Sequence, residues 1–247
     1  MRNDLNSTGR RLAARVCAAA LLSSMAFSSG AQNRPAPSPA GCGEAYNTYG
    51  PFDYRTAQPS QRHIVEGTHF TRGVENLTRG ATGPFGGDID YTLAVFPNHY
   101  RAILSMERLA EKEKLQQPNG ASMTVECYYA RGMAYAPDDL VFRMLYVNYL
   151  IKRGRTDEAG KFLDYVVEQS GDNGLTQFNA GMLYFDMKDY DKALIQAHRA
   201  LAMGLTRPEL RDRLSSVGRW QEPAPADSPA PPASAASGAT AASQPAP

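Results

Sequence analysis

The chain has 247 residues, of which 26 are Lys or Arg and 25 are Asp or Glu. So even a balance excludes the basic excess on one face that marks a nucleic-acid footprint. No apolar run approaches the roughly 20 residues that a membrane-spanning helix needs, and no Cys-x-x-Cys is present for a metal.

The first segment reads as a secretory signal peptide over residues 1–31. Arg10, Arg11 and Arg15 form a basic start, Val16 to Phe27 is a short apolar run, and Ser29-Gly30-Ala31 offers a small-residue cleavage site before Gln32. A membrane anchor is disfavoured because the run is short and broken by Ser23 and Ser24. Export places the mature chain, with no transmembrane segment of its own, in the periplasm or outside the cell. Residues 1–31 contain four Arg and one Asp, so the remainder has 22 basic and 24 acidic residues, a net charge of −2. Residues 32–40 (including NRPAPSPA) read as a linker.

Cys17 lies in the signal peptide, which leaves Cys42 and Cys127 as a single pair in an oxidising compartment. A disulfide between them is expected, pinning the N-terminal part onto the body. The rival reading makes Cys42 a lipid-modified N-terminus after Gly41. It is disfavoured by Pro39, which stands where a large aliphatic residue is usual. Residues 41–86, rich in Gly, Pro, Tyr and Thr, are expected to form an irregular extension with one short helix near 71–79. The far end, residues 221–247, is almost all Pro, Ala, Ser, Gly and Thr. Such a segment cannot bury enough apolar surface to offset its ordering entropy, so it reads as a disordered tail.

Residues 87–220 carry an internal period. Asp138–Gly171 and Asp172–Leu205 align at a spacing of 34, with Ala159 on Ala193, Leu150 on Tyr184 and Leu163 on Ala197. The turn Arg153-Gly154-Arg155-Thr156 falls on Met187-Lys188-Asp189-Tyr190. Upstream, Pro97 and Pro137 lie 40 apart, and the extra residues fall at the loop Gln116–Ala121. The resulting pattern is a partial repeat at 87–97, repeats at 98–137, 138–171 and 172–205, and a capping helix at 206–219. Within the 98–137 repeat, helices are expected over Tyr100–Lys114 and Met123–Ala136. The cap would start near Thr206 and Pro208 and end at Gly218, with Trp220 packed on it.

On Gly181, Tyr184, Tyr190, Ala193 and Ala200 in the last repeat, and Gly154 and Ala159 in the one before it, the chain resembles the tetratricopeptide repeat family. It departs from that pattern at Val147 and Val166, where small residues are usual. In length and order it also resembles exported bacterial repeat proteins of that kind with no assigned activity, which adds no residue roles. The resemblance implies an all-α fold: a right-handed superhelical stack of helical hairpins, with an irregular N-terminal extension and a capping helix. Small residues let paired helices approach, and each hairpin buries its apolar face on the next.

The resemblance also implies that first-helix side chains line a concave groove where peptides dock. Carried over, these are Arg101, Leu104 and Arg108, then Met144, Asn148 and Ile151, then Phe178, Asn179 and Met182. The amides and guanidinium groups suit a peptide backbone or carboxylate, and Met and Phe suit apolar side chains. The lysines of the family's carboxylate clamp are missing.

No catalytic constellation is found. His63 and His69 with Asp88 and Asp90 are the only candidates for a cation site, and capping or turn roles are favoured for them. His99 is expected to cap a helix, and His198 to be solvated. The expected function is therefore a non-enzymatic protein-interaction scaffold of the bacterial envelope, with a protein or peptide partner and no cofactor or metal. The alternatives are a self-associating structural protein tethered by its tail, or a metal-dependent enzyme built on the extension.

Overall fold

In a computed structural model of the chain, residues 41–43 and 49–223 are described. The expected signal peptide, linker and tail lie outside these residues, apart from the tail's first three. Contacts divide the chain at Gln32, and every described residue belongs to the second unit, Asn33–Pro247. The described part is all-helical, with ten helices and no strand. None of its helices is long and apolar enough to cross a membrane.

The helices are α1 (Pro59–Thr68), α2 (Arg72–Glu75), α3 (Phe85–Val95), α4 (Tyr100–Glu113), α5 (Val125–Tyr135), α6 (Leu140–Lys152), α7 (Thr156–Gln169), α8 (Gly174–Asp186), α9 (Tyr190–Ala202) and α10 (Glu209–Ser216). Their starts follow the capping residues. Thr124, Asp139, Asn173 and Asp189 each accept a hydrogen bond from the backbone N–H three residues on, satisfying a donor that has no partner within the helix. His99 caps α4 the same way, through the N–H of Ala102.

The turns repeat as the sequence period does. Between α6 and α7, Arg155 N–H donates to Leu150 O at 3.0 Å; between α8 and α9, Asp189 N–H donates to Tyr184 O at 2.9 Å, 34 positions on. Gly154 takes the left-handed conformation in the first turn (φ 71°), and Lys188 takes it in the second (φ 65°). A side chain there costs on the order of 1 kcal/mol, which the shared turn offsets. The connections between hairpins also recur. His99 N–H donates to Phe96 O, Asp139 N–H to Ala136 O and Asn173 N–H to Ser170 O, at 3.0, 3.1 and 3.2 Å.

Each helix packs on its neighbour in the chain from α3 to α10, and α8 also packs on α6 and α10. One continuous core runs from Phe70 to Leu214. Small residues set the close approaches. A Cβ on Gly132 would lie 2.5 Å from the Pro97 carbonyl oxygen and 2.6 Å from Phe142 Cζ, so α5 can lie this close to the α6 start only with glycine. Ala159, Ala193 and Ala200 are buried at the hairpin crossings.

The described part of the extension is mostly irregular, as expected, but it contains one helix more than expected. Besides α2, close to the expected short helix, it contains the ten-residue α1. It also has a small core of its own, in which Ala57 and Val65 meet Val95 and Phe96 of the body. Cys42 and Cys127 are joined in a disulfide, as expected. That bond leaves the lipid-modified reading of Cys42 without a thiol.

Candidate functional site

The nine expected groove residues fall into four places. Met144 and Asn148 on α6, with Asn179 and Met182 on α8, line one open cavity of about 340 Å³. Val141, Leu145 and Leu183 complete its walls. The helix period explains the grouping. Met144 and Asn148 are four apart, and Asn179 and Met182 three apart, so each pair shares a face. The faces meet because α6 and α8 pack together.

Neither asparagine amide has a hydrogen-bond partner among the described residues. Asn148 and Asn179 are only half-buried, so their groups reach the cavity without an orphaned buried donor. No charged side chain lines the space. Nearby, Arg213 contacts Met182 Sδ at 3.8 Å and pairs with Asp186. The cavity therefore offers two neutral amides, two thioethers and three aliphatic side chains. Those amides can donate to and accept from an extended backbone, and the rest can take apolar side chains. Nothing in it can move a proton or attack a carbonyl.

Arg101, Leu104 and Arg108 do not join this cavity. Arg101 pairs with Glu66 and Glu75, both at 3.1 Å, and lies over the Phe70 ring. Arg108 donates to the Glu75 carbonyl at 2.7 Å and to Ser105 Oγ at 2.9 Å. The extension thus lies on the α4 face, and both guanidinium groups are committed to it. Leu104 is half-buried on the same helix. Ile151 packs at the edge of the core outside the cavity. Phe178 points the other way, into a second cavity toward α9 and α10.

Two polar clusters hold the extension down, and neither was singled out from the sequence. Asn98 is fully buried. Its Nδ2 donates to Asp53 and to Asp139, each at 2.8 Å, and its Oδ1 accepts the Tyr54 N–H at 2.9 Å. Tyr100 donates to Asp139 at 3.0 Å, and Arg55 joins Asp53 to Asp138. In the second cluster His99, also fully buried, sits 3.1 Å from Glu66. Its Nδ1 accepts from Ala102, which leaves the Nε2–H to donate to the Glu66 carboxylate. Burial holds the His99 imidazole below its ordinary value, despite Glu66. The His99 hydrogen bond, with help from Tyr54 and Arg101, holds Glu66 down to about 2. The pair is packed between Tyr54, Phe70 and Phe96, so it fixes the extension and has no room for a substrate.

The expected cation candidates do not converge. His63 is exposed. His69 lies 3.5 Å from Asp88, whose carboxylate is taken up by Ala81 and Thr82. Asp90 accepts from Ser122 and Tyr128 instead. Among the described residues, no group of three or more His, Cys, Asp or Glu is placed to hold a metal. His198 is not simply solvated: it contacts Gln221 O at 2.8 Å and Trp220 edge-on. Compared with known proteins, the chain matches no family model, no curated protein and no solved structure.

Proposed function

We propose that the chain is a non-enzymatic binding scaffold, stacked in the right-handed superhelical manner of tetratricopeptide repeats, that holds an extended peptide segment against α6 and α8. One observation carries the binding reading. Asn148 and Asn179, on successive hairpins, present unpartnered amides to one cavity flanked by Met144 and Met182. The recurrence of the turn hydrogen bonds at 34 residues supports the repeat reading. The disulfide and the character of residues 1–31 support an exported protein, periplasmic or secreted, since such bonds persist in oxidising compartments. The ligand is a neutral or weakly charged stretch with apolar side chains, because the cavity walls carry no charge. The α4 face, closed by α1 and α2, is not part of the site.

A peptide selected from a random displayed library on the purified protein tests this. Its affinity, read by fluorescence polarisation, is expected to fall at least about tenfold in the Asn148→Ala/Asn179→Ala double variant, as two hydrogen bonds are lost. An affinity kept within about twofold would move the site elsewhere.

A further inference from the structure

A second cavity, of about 330 Å³, lies between α9, α10 and the strap Trp220–Pro223 that leaves the body. Its size is that of a small-ligand site. Phe178, Leu201, Leu205, Leu210 and Trp220 give it an apolar interior. Two guanidinium groups stand at its rim. Arg207 lies over the Phe178 ring and has no ion-pair partner among the described residues. Arg211 lies over Trp220 and pairs with Glu222 at 2.6 Å. The same Glu222 oxygen accepts Trp220 Nε1–H at 3.0 Å. A carboxylate therefore already sits at the mouth, two-thirds exposed and supplied by the strap itself. One more positive charge beside it is left unmatched.

We propose that this cavity binds a small apolar monocarboxylic acid, of the medium-chain fatty-acid class. Its carboxylate is held by Arg207, with Arg211 beside it, and its apolar body lies against Phe178, Leu210 and Trp220. A cationic ligand meets two guanidinium groups, and a neutral one leaves Arg207 unmatched, so charge selects the acid.

The site contains its own reporter, because Trp220 is the only tryptophan in the chain. Decanoate added to the full-length purified protein is expected to change Trp220 emission saturably. Decanol and decyltrimethylammonium are expected to need at least about tenfold higher concentrations. Arg207 is exposed, so its variants keep the fold, and far-UV circular dichroism checks this. Arg207→Ala is expected to weaken decanoate at least about tenfold. Arg207→Glu is expected to turn the preference toward the cation. Equal responses to acid, alcohol and cation, or no saturable response to decanoate, would overturn the proposal. So would a change in Trp220 emission on deleting residues 224–247 alone that matches the decanoate effect, since the cavity would then belong to the chain's own tail.

Discussion

Replacing both Cys42 and Cys127 by alanine is expected to lower the unfolding free energy by about 4.5 kcal/mol, the chain entropy released by opening a loop of this length. The two residues are 85 positions apart. The loop encloses α1 to α4 and ends in the first turn of α5, so the bond ties the extension to a helix of the main core. For a domain of this size the melting temperature should fall by on the order of 10 °C or more. Thermal or urea unfolding of wild type and double variant, under oxidising conditions, measures it. A loss below about 1 kcal/mol would mean that the extension is held by its other contacts alone, and the Asn98 and His99 clusters would carry its whole attachment. Peptide binding at the α6–α8 cavity should survive the substitution, since the bond touches neither helix.

The second large effect is expected at Asn98, where an isosteric change should be worse than truncation. Asn98→Asp keeps the shape but turns a double donor into an acceptor, next to the carboxylates of Asp53 and Asp139. Asp139 is 2% exposed, so water cannot screen the new repulsion. The loss at neutral pH should be about 4 kcal/mol or more, against about 3 for Asn98→Ala, which only removes the hydrogen bonds. The sign of the pH dependence follows. The new carboxyl, beside two like charges, has a raised folded-state pKa, so its penalty is largest at high pH and shrinks as acidification protonates it and restores a donor. Urea unfolding of the three proteins at two pH values tests the order. A milder effect for Asn98→Asp than for Asn98→Ala would contradict the role of Asn98 as a donor between two acids.

Much of the helical body was legible in the sequence because its signals are local. Tyr100–Lys114 was expected and Tyr100–Glu113 is observed; Met123–Ala136 was expected and Val125–Tyr135 is observed. The capping residues and the positive-φ turns at Gly154 and Lys188 lie at the alignment's own positions. The extension was less legible. Helix α1 buries only Val65, so it lacks the apolar stripe that betrays an amphipathic helix, and Pro59 and Gly67 read as breakers. Its hold on the body runs through partners 26 to 35 residues away, Glu75 with Arg101 and Glu66 with Arg101 and His99, which no local pattern reveals. The same contacts removed Arg101 and Arg108 from the groove. At the site, the helix period grouped Met144 with Asn148 and Asn179 with Met182. Phe178, one residue before Asn179, is turned roughly 100° around the helix and serves the other cavity. Trp220 was expected on the capping helix, as observed, but the cavity was not legible, because Phe178 and Leu201 reach it from α8 and α9, which no local pattern reveals.

On the proposed function, the partner peptide docks on the α6–α8 face rather than on the outer helices. Photo-crosslinking tests it directly, with p-benzoylphenylalanine placed in one protein at Leu145, which lines the cavity, and in another at Ile195, exposed on α9 outside it. Crosslinks to the selected peptide are expected from position 145 and not from 195, and they should vanish in the Asn148→Ala/Asn179→Ala background. Peptide crosslinks from 195 alone, or from 145 only chain-to-chain products, would contradict it and make the protein a self-associating structure instead.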